Sequence, residues 1–437
     1  MNILINKNFL NKKKIILDNN IIINILKETY DLTLNNLQYL LENKYTGYEK
    51  SNDKTLNPLI WELGHISLFY DYHLLKYLYP NNKHPIINNW KLFDSFIISK
   101  EDRFLNRIEK KSILNYFKKI YYLCNKWLNE NIINNKTTYL FLLSILHNHM
   151  HIESIIYTKK KLNINNNFKI LKTKSINAIH LNFIKINKGS FYQGTKEGEN
   201  LISFDNEKPK FKVNINEFYI SDIPITNCLY LNFIVNGGYI KKDLWCDKGW
   251  KFIIKNKINS PLYWKLKGNL WYEKLDEKYI MLDLNQPVCH ISWYEAKAIA
   301  TYMDCRLPKE SEWEFVATNN GTTKYPWGDK MNADFCNINY SNGLCHVYDK
   351  NKGNTLNKVK QMIGNIWEWC EDSIYPYNGF NIDPIYKEFS YPYFGFKKIL
   401  KGGCWAVPEY LINTKYRNAQ LPENRIQFTG VRLVKDN

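Results

Sequence analysis

The sequence predicts two domains in series, a four-helix bundle over residues 15–165 and a mixed α+β domain over residues 181–437, joined by a linker at 166–180. Three observations predict this. Four long segments before residue 165 repeat apolar residues at three- and four-residue spacing. The period dissolves in the polar stretch LNINNNFKILKTKSINAIH, residues 162–180. Beyond it Trp, Gly and Pro become frequent and the apolar runs shorten to strand length. At 437 residues the chain is also too long for one ordinary core.

The four periodic segments are residues 21–45, 57–79, 110–130 and 137–162, and they suggest an antiparallel bundle. In the second, Asn57 is the expected N-cap and Pro58 the first helical residue, where the missing N–H of proline costs least. In the second domain, FIKINKGSFYQG, KFKVNINEFYIS and KILKGGCWAV read as strands, and SWYEAKAIATYMD and ESEWEFVATN as helices. Ser311 and Glu314 have the spacing of a capping box, and GNIWEWC sets Trp367 and Trp369 on one face of a strand.

Composition excludes several classes. A net charge of +18 comes from Lys spread among Asn and Ile along the chain, without an Arg-rich stripe, so a nucleic-acid partner is not expected. No apolar run approaches the length of a membrane span, and the opening MNILINKNFLNKKK lacks the pattern of an export signal. The nine cysteines are odd in number, scattered and never in a C-x-x-C pair, which suits reduced thiols in the cytoplasm.

The fourth helical segment contains His147-Asn148-His149-Met150-His151. At about 100° per residue, His147 and His151 lie one above the other on one face and His149 points elsewhere. Trp61-Glu62-Leu63-Gly64-His65 supplies a third imidazole on the second segment, with Gly64 expected to admit a neighbouring helix. Three imidazoles from facing helices would bind a first-row ion such as Fe(II), Cu, Ni or Zn and leave positions open. Glu153, two residues past His151, is expected off that face, as an outer or packing group.

WELGHI and HNHMHIE resemble the metal-binding signature of the DinB-like bundle in ergothioneine-biosynthesis sulfoxide synthases. FDNEKPKF, PVCHISWYEA, RLPKESEWEF, YPWGD, GNIWEWCED, LKGGCW and the ending TGVRLV resemble their formylglycine-generating-enzyme-like (C-type-lectin-like) domain, in the same order. The resemblance implies Fe(II) held by His65, His147 and His151, and small-molecule substrates: O2, a cysteine or γ-glutamylcysteine thiol, and hercynine, joined at imidazole C2. Related selenoneine synthases would use a selenosugar instead. A binding or regulatory module with a structural zinc is the alternative of another class.

Carried over by position, Arg103 and Arg107 would grip the carboxylate of the thiol substrate, and Asn418, after Arg417, would approach the histidine-derived substrate. Departures accompany these matches. Ala419 stands where the family often has an aromatic residue, and Gln420 where one branch has an acid; Gln420 remains a candidate binding residue. Phe96-Ile97 replaces tyrosines of another branch, leaving Tyr377 and Tyr375 as candidate proton donors. The two active-site cysteines of formylglycine-generating enzymes are replaced by Val407 and Ile412, so sulfatase maturation is not expected.

Overall fold

The computed structural model describes residues 17–41, 45–50, 55–105, 107–164, 168, 180–200 and 202–436. The linker expected at 166–180 therefore lies outside the described residues, apart from Phe168 and His180. The chain divides into two compact units, Met1–Asn166 with Glu197–Ile202, and Asn167–Lys196 with Ser203–Asn437.

The first unit is a bundle of four helices. Helix α1 (Asn19–Leu37) opens where the Asp18 carboxylate accepts the Asn20 N–H at 2.7 Å, an N-cap on an otherwise unsatisfied donor. Its buried residues, Ile22, Leu26, Thr29, Thr33 and Leu37, follow the helical period, but two are polar. Helix α2 (Leu59–Phe69) starts one residue later than expected: Pro58 is the cap, in extended conformation, and Leu59 is the first helical residue. The helix then widens into a π segment (Tyr70–Leu75) before ending at Lys76–Leu78. Helix α3 (Lys110–Glu130) matches its segment and buries one stripe, from Ile113 through Phe117 and Cys124 to Leu128.

Helix α4 (Asn135–Leu162) is the central element, buried along most of its length. Asn134 caps it with a reciprocal bond to Thr137, and Asn163, at φ 59, ends it in the left-handed conformation that asparagine tolerates. Helix α1 packs on α3 and α4, and α2 packs on the same two. Gly64 does not admit a neighbouring helix, as the sequence had suggested. A Cβ there would overlap the ring of Phe93, which belongs to the short 3-10 turn Trp90–Phe93. The missing side chain seats that turn on α2.

The second unit is built on short sheets. Strands β1 (Phe183–Ile186), β4 (Phe218–Ser221) and β12 (Val434–Lys435) form one, and β2 (Gly189–Gln193) pairs with β3 (Phe211–Ile215). Helices α5 (Asn227–Val235) and α6 (Asp247–Lys255) precede an antiparallel meander of β5 (Trp264–Lys267), β6 (Leu270–Leu275) and β7 (Lys278–Met281). After helices α7 (Trp293–Tyr302) and α8 (Glu310–Ala317), a four-stranded sheet runs β10 (Asn418–Gln420), β9 (Lys398–Lys401), β8 (Trp367–Ser373), β11 (Thr429–Gly430).

Two local expectations shift. The reciprocal capping box sits at Ser292 and Glu295, before α7. Helix α8 already begins at Glu310, so Ser311 and Glu314 lie inside it, and the Glu312 carboxylate takes the Lys309 N–H at 2.8 Å. Glu314 is instead a buried partner of Lys415, at 2.8 Å, and Lys401, at 3.2 Å. Trp367 and Trp369 are both fully buried, yet so is Glu368 between them, on the opposite face. Arg432 makes that burial tolerable through a 2.9 Å ion pair, and Trp313 donates its indole N–H to the same carboxylate at 2.7 Å.

Candidate metal centre

Helices α2 and α4 bring His65, His147 and His151 together. One ring nitrogen from each lies within 4.8 Å of the others, and among the described residues this is the group of His, Cys, Asp and Glu side chains suited to holding an ion. The Nε2 atoms of His147 and His151 are 3.2 Å apart, one turn of α4 between them. His147 is 1 % exposed, and His65 and His151 are partly buried. Ring packing holds the cluster: Phe69 stacks on His147 at 3.7 Å, and Trp61 stacks on His65 at 4.9 Å.

Hydrogen bonding fixes which nitrogens face inward. His65 Nδ1 lies 2.7 Å from the Phe93 carbonyl oxygen, which can only accept, so Nδ1 carries the proton and Nε2 a lone pair. His151 Nδ1 contacts Glu62 Oε2, again an acceptor. Burial pushes His65 down to about 3 and His147 well below the ordinary imidazole range, so both rings are neutral at neutral pH. Burial alone would raise Glu62, but the facing His151 ring, with hydrogen bonds from His151, Asn57 and Ser154, holds it down to about 2.

This donor set fits a metal ion. The 3.2 Å between the Nε2 atoms of His147 and His151 is the spacing of two ligands on one ion, which follows from metal–nitrogen bonds of about 2.0–2.1 Å. Three neutral imidazoles without a carboxylate ligand would leave a first-row ion its positive charge and open positions.

Other histidines of the bundle are committed elsewhere. His149 points off the face, as its spacing requires, but it is buried rather than surface-lying, with Nε2 2.9 Å from Thr29 Oγ1. Thr33, the other polar residue in the α1 stripe, donates to Asn148 Oδ1 at 3.1 Å. His84 pairs with Asp71 at 2.6 Å and contacts the Tyr79 carbonyl oxygen with its other nitrogen.

The remaining sequence-selected residues scatter over different environments. Arg103 is buried, its guanidinium 4.1 Å above the Trp61 ring and donating to Asn57 Oδ1 at 2.7 Å and the Ser95 carbonyl at 3.0 Å. Arg107 is exposed, with its guanidinium 5.7 Å from the Tyr48 ring. In the second unit Asn418 and Gln420 lie half-buried on β10, at the edge of the four-stranded sheet, where Gln420 accepts from Asn424 at 3.1 Å. The buried Tyr377 hydroxyl donates to Glu310 at 2.9 Å, and Glu310 also holds Arg417 at 2.7 Å. Tyr375 is 59 % exposed and contributes only its carbonyl to Arg417. Val407 and Ile412, at the positions of the missing thiols, are buried apolar side chains.

Sequence reasoning missed Glu62 and the Phe93 carbonyl. Glu62 precedes His65 by three residues on one helix, a spacing that sets both on one face, and this was the signal available. A backbone carbonyl leaves no trace in residue type.

Residues 171–437 match the sulfatase-modifying factor enzyme 1-like domain. Over 400 residues the chain is 28 % identical to the hercynine oxygenase of Mycobacterium tuberculosis, covering 88 % of this chain and 92 % of that one. It is 26 % identical over 405 residues to the hercynine oxygenase of Mycolicibacterium thermoresistibile, covering 88 % of each. The formylglycine-generating enzyme of Streptomyces coelicolor is 25 % identical over 285 residues, which is 58 % of this chain and 88 % of that one. The similarity to the hercynine oxygenases extends well beyond the second domain and marks an enzyme of the oxygenase class, and the chain belongs to the sulfatase-modifying factor enzyme 1-like family.

Proposed function

We propose that the protein is a non-heme iron(II), O2-dependent sulfoxide synthase that joins a cysteine-type thiol to C2 of the imidazole of hercynine. The observation that carries this reading is the convergence of the His65, His147 and His151 rings, with two of the three Nδ1 atoms held by acceptors. The reaction balances without an added reductant. A thiol, an imidazole C2–H and O2 become one C–S(=O) linkage and one water: four electrons leave the C–H, the S–H and the sulfur, and O2 accepts four.

Iron(II) bound at the three rings would supply the redox chemistry toward O2 and a positive charge toward a thiolate. The protein's own groups orient and exclude. Phe69 and Trp61 shield two of the rings from water, and Phe93 and Glu62 hold two of them in the required tautomer. Arg107, exposed, is the proposed contact for a substrate carboxylate, whereas the Arg103 guanidinium is enclosed by Asn57 and main-chain carbonyls. In the second unit Asn418 and Gln420 are the proposed contacts for the histidine-derived substrate. Of the two candidate proton donors, Tyr375 is exposed, while Tyr377 would first have to leave Glu310. We place the reaction in the cytoplasm, where the thiols stay reduced.

The test is to load the purified protein with Fe(II) and supply hercynine and O2 with cysteine, γ-glutamylcysteine or a selenosugar in separate arms. One sulfoxide formed per O2 consumed with a thiol is the expected result. Turnover with the selenosugar alone would replace the sulfur assignment, and tight metal binding without any product would leave a binding module.

A further inference from the structure

Among the described residues, Glu62 sets a carboxylate against a member of the histidine cluster, and it is wholly buried. Each of its oxygens is engaged. Oε2 meets His151 Nδ1, while Oε1 takes the Asn57 side-chain N–H at 2.9 Å and the Ser154 hydroxyl at 2.8 Å. Asn57 and Ser154 both donate to Oε1, and the ionised form of the carboxyl group leaves Oε2 free to accept from His151 Nδ1. Asn57 is oriented in turn, because its carbonyl oxygen accepts from Arg103 Nη1 at 2.7 Å; this leaves its amide N–H for Glu62 and excludes the flipped amide.

The chain of contacts Arg103, Asn57, Glu62, His151 closes on the carboxylate from both sides: Arg103 donates to Asn57 and Asn57 to Glu62, while His151 donates its Nδ1–H to Glu62 from the other end. Arg103 stands over Trp61, whose other close ring partner is His65, so both ends of the relay reach the cluster. Such a network costs a buried charge and is tolerated when every member is satisfied.

Resting on the metal reading above, we propose that Glu62 is a positioning residue for the metal centre, holding His151 with Nε2 bare and inward, and that Arg103 and Asn57 are its supports. Arg103 then acts on the centre through Glu62 and does not itself grip substrate. The carboxylate also places a negative charge one imidazole away from the bound cation, which raises the basicity of His151 as a ligand.

The experiment uses the full chain with 15N-labelled histidine and Zn(II) as a diamagnetic probe, with Co(II) affinity measured by chelator competition. In the wild-type protein without metal, His151 should be the Nδ1–H tautomer; an Nε2–H tautomer would overturn the inference without any variant. Glu62→Gln retains shape but offers one acceptor to three donors, and should weaken Co(II) binding about 10- to 100-fold. Arg103→Met should weaken it by a smaller factor, about 3- to 10-fold, with KM for the thiol little changed. Unchanged affinity and tautomer in Glu62→Gln would overturn the proposal. If that variant does not fold, Asn57→Ala and Ser154→Ala carry the same affinity test. Should the wild type and His147→Ala bind Co(II) equally weakly, the metal reading falls and this inference with it, an outcome distinct from a wild type that binds tightly and a Glu62→Gln that binds as well.

Discussion

The two units bury polar groups in opposite ways. In the second, four buried acids meet bases of the same unit: Glu310 with Arg417, Glu314 with Lys401 and Lys415, Glu295 with Arg425, Glu368 with Arg432. In the first, three imidazoles turn a ring nitrogen toward a common point, and the nearby carboxylate braces one of them from behind. Paired charges are complete as they stand and hold the fold, whereas converging ring nitrogens can hold a third party. Burial of titratable groups is therefore no sign of function until one asks whether they satisfy each other.

The contrast can be broken or sharpened by substitution. The largest expected effect is His147→Ala, which should abolish stoichiometric metal binding by elemental analysis while the thermal transition of the metal-free protein stays cooperative. Glu368→Ala should do the reverse: it strands the buried Arg432 and costs about 3–5 kcal/mol by denaturant unfolding, with the metal content of the remaining folded protein intact. If Glu368→Ala loses metal and stability together at every denaturant concentration, the units are not energetically separate.

Smaller effects discriminate more finely. Gly64→Ala forces the Phe93 ring away from α2 and with it the carbonyl that holds His65, so it should cost about 1–3 kcal/mol and weaken metal binding; retained affinity would show that the carbonyl is dispensable. His149→Ala removes the partner of Thr29 and should cost about 1–3 kcal/mol at unchanged metal stoichiometry. Loss of metal in this variant would show that α4 presents a different face.

The smallest effect belongs to pH. Burial pushes Glu207 up to about 7, opposed by the Phe204 N–H and Lys401, and its Oε2 has no hydrogen-bond partner among the described residues. The folded state then binds a proton more tightly than the unfolded one. This contribution is full at low pH and declines as pH rises from the ordinary carboxyl range through about 7. Glu207→Gln should flatten the fall in stability across that window; an unchanged slope in urea titrations would assign the slope to other groups.

How much was legible in the sequence follows from the same physics. Helix periodicity put His147 and His151 on one face and His149 off it, because rotation per residue is a local property. That α2 would face α4 is a tertiary fact, which the bundle pattern allowed and the family resemblance implied. Glu62 was overlooked despite sharing a helix face with His65, because a glutamate on a helix reads as solvent-facing until packing shows otherwise. The pairing of Tyr377 and Arg417 with Glu310 was hidden by sequence distance, since nothing local marks a loop tyrosine as the partner of a helix N-terminal acid. The cap before α8 was misplaced by one turn fragment, within the usual uncertainty of helix ends.

The π segment Tyr70–Leu75 has a meaning for the length of the gene product. A π turn houses one more residue than an α turn over the same rise, so the helix carries what amounts to a single-codon insertion downstream of His65. Asp71 lies within it and gathers the Tyr116 hydroxyl at 2.7 Å and His84 at 2.6 Å. Deleting one codon from this stretch would restore a regular helix and leave what lies beyond the turn in place, while the residues inside the turn change their facing. Glu62 and His65 would keep their facing, while Asp71 would be thrown out of register with its two partners; reading frames of relatives that differ by one residue here should therefore differ also at the positions of Tyr116 and His84.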